Sequence, residues 1–112
     1  MLQSIGKNLT ANAANTIFTV PDGYHAIISM LMVINTTGNQ HSYSATWHDG
    51  STVTIQGTKN LSANAYDLLF SVNNPLVLQE GDYITVTTAA GSSLSCLCTV
   101  DIIRNEKTPY NL

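Results

Sequence analysis

Three histidines are the residues of this chain best suited to acid–base or metal chemistry. His25 follows Asp22 by three positions, and His48 directly precedes Asp49. His41 and His48 flank the same predicted strand, one at each end. A histidine near a carboxylate can transfer protons or bind a metal. No spacing typical of metal ligands links the three, so ordinary hydrogen-bonded or solvent-facing histidines are expected. The sequence predicts no enzyme, no metal site and no cofactor.

The segment Trp47-His48-Asp49-Gly50 places an aromatic ring among polar groups at a predicted hairpin turn. An indole beside polar side chains can stack on a sugar or bind a partner, and His41 could add a contact. Trp47 also continues an inward-facing series of strand positions, which predicts packing in the core. Core packing is the simpler interpretation. A ligand-binding hairpin of His41, Trp47, His48 and Asp49 is the alternative.

The two cysteines, Cys96 and Cys98, stand two positions apart. On a strand they share one face, with Cα atoms about 6.6 Å apart at roughly 3.3 Å per residue. Their parallel Cβ vectors disfavour a disulfide between them. We therefore predict two buried, small apolar side chains, with metal binding or an intermolecular bond as the alternatives. The chain also lacks the motifs of a phosphate-binding loop, a nucleophile elbow or a paired-cysteine zinc site.

Turn signals such as Asp49-Gly50 divide the chain into about eight short segments of strand character, spaced by about ten residues. This pattern predicts an all-β fold, an antiparallel β-sandwich or jelly-roll-like domain. We expect an N-terminal arm over residues 1–14, the sandwich over residues 15–104 and a C-terminal tail over residues 105–112.

The segment Tyr24–Asn35 is apolar on both faces of an extended strand, whereas a half-exposed strand alternates apolar and polar residues. In a regular strand one face carries Ala26, Ile28, Met30, Met32 and Ile34, and the other carries Ile27, Leu31 and Val33. One sandwich core covers only one of these faces. The sequence therefore predicts that a second protein chain covers the other, with Ile27, Leu31 and Val33 at the subunit interface.

Charged residues make up only 10% of the chain, against roughly 25% in a typical soluble domain. The net charge is −3 and the four Lys and Arg residues are isolated, which excludes the basic stripe that nucleic-acid binding requires. No apolar stretch is long enough for a transmembrane helix, and the N-terminus does not resemble a signal peptide. A surface of Asn, Ser, Thr and Gln resists association less than a charged one and favours permanent neighbours.

Two segments together resemble small β-sandwich virion structural proteins of tailed bacteriophages. TVPDGYHAIISMLMVINTTG has a Val-Pro-x-Gly turn, an apolar strand and then Asn-Thr-Thr-Gly. NLSANAYDLLFSVNNPLVLQEGDYITVTTAAGSSLSCLCTVDII has a polar loop before Leu-rich strands, then Leu-x-x-Gly-Asp and a closing strand that ends in acid-Ile. The resemblance covers about residues 17–103.

This resemblance implies a homo-oligomer, a dimer or trimer, on the outside of a capsid, neck or tail. The leading hypothesis is a capsid cement or decoration protein that binds the major capsid protein or another virion protein and is made in the host cytoplasm. Capsid docking is then expected at Leu2, Ile5, Pro109 and Tyr110. The alternative is a receptor- or glycan-binding module of a tail or neck fibre that uses the Trp47 hairpin.

Overall fold

The computed structural model describes residues 1–106, which form nine strands in two antiparallel sheets. The strands are β1 (Leu2–Asn8), β2 (Ala14–Thr19), β3 (Tyr24–Asn35), β4 (His41–His48), β5 (Thr52–Leu61), β6 (Ala65–Phe70), β7 (Leu76–Leu78), β8 (Tyr83–Thr88) and β9 (Ser95–Arg104). The predicted all-β antiparallel sandwich is confirmed.

The first sheet has the order β1-β9-β3-β6, and β7 also pairs with β3. The second sheet has the order β2-β8-β4-β5. The chain crosses between the sheets at most of its connections, so that strands distant in sequence become neighbours. β3, the longest strand, therefore lies inside the first sheet with β9 on one side and β6 and β7 on the other.

The core lies between the two sheets and consists of the inward-facing residues of alternating strand positions. Its largest fully buried side chains are Tyr43, Ile28, Leu31, Leu78 and Ile84. Both cysteines are buried in this core as free thiols, which confirms the prediction for them. Burial raises the pKa of Cys96 to about 12 and that of Cys98 to about 11.

The N-terminal segment corrects one expectation. Residues 2–8 are not an arm but the strand β1, which pairs with β9 along its whole length, from Leu2 opposite Asp101 to Asn8 opposite Ser95. The following loop is held by the buried side chain of Asn15, whose Oδ1 accepts a 2.9 Å hydrogen bond from the Thr10 N–H. The polar composition of this segment concealed its pairing, because an edge strand exposes much of its surface.

Candidate functional site

The pairing of β3 with β9 contains an irregularity at Ser29. Ile28 lies opposite Val100, but the next paired residue of β3 is Met30, opposite Thr99. A bulge of this kind inserts one residue, and a slip of one residue moves every later side chain to the other face. The two faces of β3 therefore exchange at Ser29.

The bulge corrects the predicted subunit interface. Leu31 and Val33 are 0% exposed because they face the core of their own sandwich, so their assignment to the outer face is wrong. Ile27 precedes the bulge and faces outward, opposite Val77 of β7. After the bulge the outward positions are Met30, Met32 and Ile34, which a regular strand would place on the opposite face.

The outer face of the first sheet is apolar across several strands, because directly opposed residues of an antiparallel pair share a face. Met32 lies opposite Leu97 of β9 and Leu68 of β6, and Ile34 lies opposite Tyr66. We call this surface the apolar face, and its members are Leu2, Ile27, Met30, Met32, Ile34, Tyr66, Leu68, Val77, Leu97 and Ile103.

The apolar face is accessible at its margins and half-buried at its centre. Leu2 is 67% exposed, Tyr66 62%, Leu68 50% and Val77 47%. The members on β3 and β9 are half-buried, as expected for strands that have neighbours on both sides within the sheet. Within residues 1–106 no further layer packs over this face.

Charge on the outward positions of β3 and β9 is confined to one end of the apolar face. His25 lies opposite Ile103, and Asp101 lies opposite Ile27, where its carboxylate is 3.1 Å from the N-terminal ammonium group. The central positions around Met32 and Leu97 carry no ionisable side chain. The centre of the apolar face therefore has no charged group that contact with water would stabilise.

The outer face of the second sheet has the opposite character. A row of threonines crosses all four strands, Thr16 opposite Thr85, Thr85 opposite Thr46 and Thr46 opposite Thr54. Thr16 and Thr54 are exposed, Thr46 is half-buried and Thr85 is buried between its neighbours, so this face is polar where the other is apolar. We call it the hydroxyl face. The contrast makes the apolar face of the first sheet the unusual surface of this molecule.

The residues predicted to dock on a capsid lie in different environments where the structure describes them. Leu2 belongs to the apolar face, on the same side of the sheet as Ile27. Ile5 points the other way, is half-buried and packs against the core, so it does not belong to the apolar face. Pro109 and Tyr110 lie outside the described residues.

The indole of Trp47 faces inward, packs against the core and has its Nε1–H 3.4 Å from Asp82 Oδ2. This confirms the packing interpretation. His48 faces outward and stacks on Tyr83, with ring centroids 4.2 Å apart. The His48 Nε2 atom lies 3.0 Å from Thr46 Oγ1, and its Nδ1 atom lies 3.2 Å from Thr52 Oγ1 on β5.

The four residues of the predicted ligand hairpin do not converge. His41 begins β4 and His48 ends it, which separates them by about 23 Å along an extended strand. Asp49 accepts a 3.1 Å hydrogen bond from the Ser51 hydroxyl within the turn. Ligand binding at this hairpin stays a prediction. The Trp47 indole that suggested it packs against the core.

Within residues 1–106, no cluster of three or more His, Cys, Asp or Glu side chains has the arrangement of a metal site. None of the described segments is a helix of the length and apolar character needed to span a membrane.

No protein-family model matches the chain, and no curated protein matches it in sequence. A chain of the infectious bursal disease virus Gx strain structure aligns with all of this chain and 34% of its own length, at 14% identity and a TM-score of 0.55. A chain of the T13 particle of the same virus aligns with 93% of this chain and 31% of its own, at 12% identity and a TM-score of 0.52. The protein thus spans about a third of those viral chains and shares their fold.

Proposed function

We propose that this chain is a non-enzymatic virion structural protein that decorates the outside of a capsid shell and stabilises it. The observation that carries the proposal is the apolar face, an uncharged surface centred on Met32 and Leu97 that its own sandwich leaves uncovered. The shared fold with chains of viral particles supports the choice of a virion as the setting.

The size of the apolar face agrees with an association surface. Its side chains expose on the order of 500 Å² of apolar area, comparable with the largest patch on a typical monomer, which is often functional. Burial at about 25 cal/mol/Å² supplies on the order of 10 kcal/mol before the costs of association are subtracted. Those costs are about 4–15 kcal/mol, so the apolar face supplies much of the binding and several copies acting together add to it.

The mechanism follows from the contrast between the two outer faces. The apolar face lies against the major capsid protein and bridges neighbouring shell subunits, while the hydroxyl face remains in water. The sandwich between them is stiffened by a continuous core, so that separation of the bridged subunits must break contacts at the apolar face. Copies of the chain act together as a homo-oligomer.

A glycan-binding role has less support. The stacking ring that such a site would use, Trp47, packs against the core, and His41 lies at the opposite end of the same strand. An array of glycans incubated with the purified protein tests it, and binding that disappears in a His48→Ala variant would favour this role over decoration.

The test of decoration compares two aspartate substitutions on opposite faces. Met32→Asp places a charge at the centre of the apolar face, and Thr54→Asp places one on the exposed hydroxyl face. Virion particles stripped of the protein are mixed with each variant and sedimented. We expect Met32→Asp to weaken binding by about 100-fold or more, because an unpaired charge is buried, and Thr54→Asp to bind like the wild type. Equal binding by both variants would refute the proposal.

A further inference from the structure

The outer edge of β1 carries unpaired main-chain groups. The Leu9 N–H donates to the Leu94 carbonyl at 2.9 Å, and the Ile102 N–H donates to the Met1 carbonyl at 2.9 Å. Hydrogen-bonded pairs alternate in an antiparallel ladder, so the odd-numbered residues of β1 are those that bond to β9. The even-numbered residues direct their N–H and C=O groups to the far edge, and they are Leu2, Ser4, Gly6 and Asn8.

This edge is open to solvent and regular. All four of these even-numbered residues are exposed, and no other strand among residues 1–106 pairs with this side of β1. The seven residue pairs of β1 with β9 follow in unbroken register, with neither a bulge nor a proline. Such an edge is a template for pairing with another chain.

The other edges of the sandwich lack this regularity. The pairing of β5 with β4 shifts register twice, and that of β2 with β8 shifts once. On the far side of the first sheet, β6 and β7 share the length of β3 and are separated by a turn. Bulges, short strands and charged side chains such as lysine protect sheet edges. β1 has no bulge, and its one lysine, Lys7, donates a 2.9 Å hydrogen bond from Nζ to the Thr16 carbonyl of its own chain.

We propose that β1 pairs antiparallel with β1 of a second copy about a two-fold axis, which joins the two first sheets into one. The inference is independent of what covers the apolar face, and it assigns a contact to the self-association that the proposed function includes. In this register Leu2 lies opposite Asn8 of the second copy and Ser4 opposite Gly6. Every even-numbered residue is then in a hydrogen-bonded pair, which gives about eight new main-chain hydrogen bonds.

The side chains of β1 are compatible with this register. Ile5 lies opposite the Ile5 of the second copy, an apolar pair on the inward side of the joined sheet. Lys7 is the one charged residue of β1, and it lies opposite Gln3 rather than opposite another lysine. The two Lys7 residues are offset by about 13 Å along the strands, which leaves little repulsion between them. The contact is isologous and closes at two copies.

The geometry has a consequence for the apolar face. Continuous pairing of β1 with itself places both first sheets in one layer with their outward sides in the same direction. The two apolar faces then lie side by side, and Leu2, at the β1 end of each face, is brought near the junction. A dimer therefore presents about twice the docking surface of a single chain.

The test is a proline substitution that affects only the free edge. Ser4→Pro removes an N–H that does not bond to β9, and proline is tolerated on edge strands. Ser4→Thr keeps the N–H and is the matched control. By light scattering after size exclusion, we expect wild type and Ser4→Thr at twice the chain mass of 12.0 kDa and Ser4→Pro at the single-chain mass.

Hydrogen exchange gives a readout that does not depend on the proline variant folding. In the wild-type dimer, the amides of Ser4 and Gly6 should exchange at least 100-fold more slowly at high protein concentration than at low concentration. A monomeric wild type, fast exchange of these amides at all concentrations, or a dimer lost in Met32→Asp but kept in Ser4→Pro would each overturn the inference. The last result would place self-association on the apolar face while leaving β1 unpaired.

Discussion

The phenolic hydroxyl of Tyr43 donates a 2.6 Å hydrogen bond to Asp67 Oδ2 and so connects β4 of one sheet to β6 of the other. Lys59 Nζ lies 3.1 Å from the same carboxylate oxygen. Burial raises the pKa of Tyr43 well above its usual value, and the hydrogen bond and charge of Asp67 raise it further. The phenol therefore stays protonated and acts as a donor throughout the physiological range.

Tyr43→Phe should lower the free energy of unfolding by about 1.5–3 kcal/mol, the range for a hydrogen bond to a charged group. Urea denaturation measures the change. Tyr24→Phe is the control, because among residues 1–106 the Tyr24 hydroxyl accepts its hydrogen bond from the exposed Arg104 guanidinium alone, at 3.3 Å. A Tyr43→Phe variant as stable as Tyr24→Phe would show that the connection contributes nothing.

Asn35 is a second buried polar group whose partners are all supplied by the chain. Its Nδ2 lies 2.8 Å from the Asn39 carbonyl and 3.1 Å from those of Leu61 and Ser62, while Oδ1 accepts from Thr37. Asn35→Asp turns the donor into an acceptor facing carbonyl oxygens, at a cost of about 3 kcal/mol or more.

The matched substitution for Asn35→Asp is Asn60→Asp on the exposed surface of β5, where we expect a change within about 0.5 kcal/mol. Thermal unfolding of both variants at neutral pH makes the comparison. Equal melting temperatures would contradict the role assigned to the Asn35 amide.

Adjacent substitutions on β3 test the bulge at Ser29. Leu31→Asp should prevent folding, because it buries a charge among core side chains without a partner. Met32→Asp should fold with little change in stability, because that side chain already contacts solvent. Circular dichroism of the soluble fraction of each variant compares their folding. A Met32→Asp variant less stable than Leu31→Asp would mean that Met32 faces the core and Leu31 faces outward.

The buried thiols predict a loss of stability in alkali. Both pKa values lie above the ordinary value of 9.0, so the unfolded chain releases these protons first as the pH rises. The contribution of the thiols to stability is complete below pH 9 and declines up to about pH 11 for Cys98 and about pH 12 for Cys96, by up to about 1.4 kcal/mol per pH unit for each group. Urea midpoints across this range should fall more steeply for the wild type than for a Cys96→Ala Cys98→Ala variant. Parallel declines would contradict the assignment to the thiols.

The sequence predicts the strand content and the sandwich because turn residues and period-2 patterns are local signals. It also predicts that β3 is apolar on both faces, since twelve residues suffice to show it. The assignment of faces fails at Ser29, the single polar residue between Ala26 and Ile34, because a bulge is fixed by pairing with β9 rather than by local preference. Ser29 is the signal from which the exchange could have been suspected.

β1 escaped prediction for a related reason. An edge strand gains its stability from the neighbour that it pairs with, and that neighbour, β9, lies at the other end of the chain. The apolar face was missed in part because Leu97, Val77 and Tyr66 come from three strands, each unremarkable alone. Only the register shows that their side chains join those of β3.

Oxidation of the three methionines tests the central claim most directly. Met30 and Met32 lie on the apolar face, and Met1 is 77% exposed at the N-terminus, so one chain contains two probes and a reference. Purified protein and intact virions are treated with hydrogen peroxide, and sulfoxide formation at each methionine is followed by mass spectrometry. We expect Met30 and Met32 to oxidise at least tenfold more slowly in the virion than in the purified protein, relative to Met1. Equal relative rates in both would contradict the claim that another protein covers the apolar face.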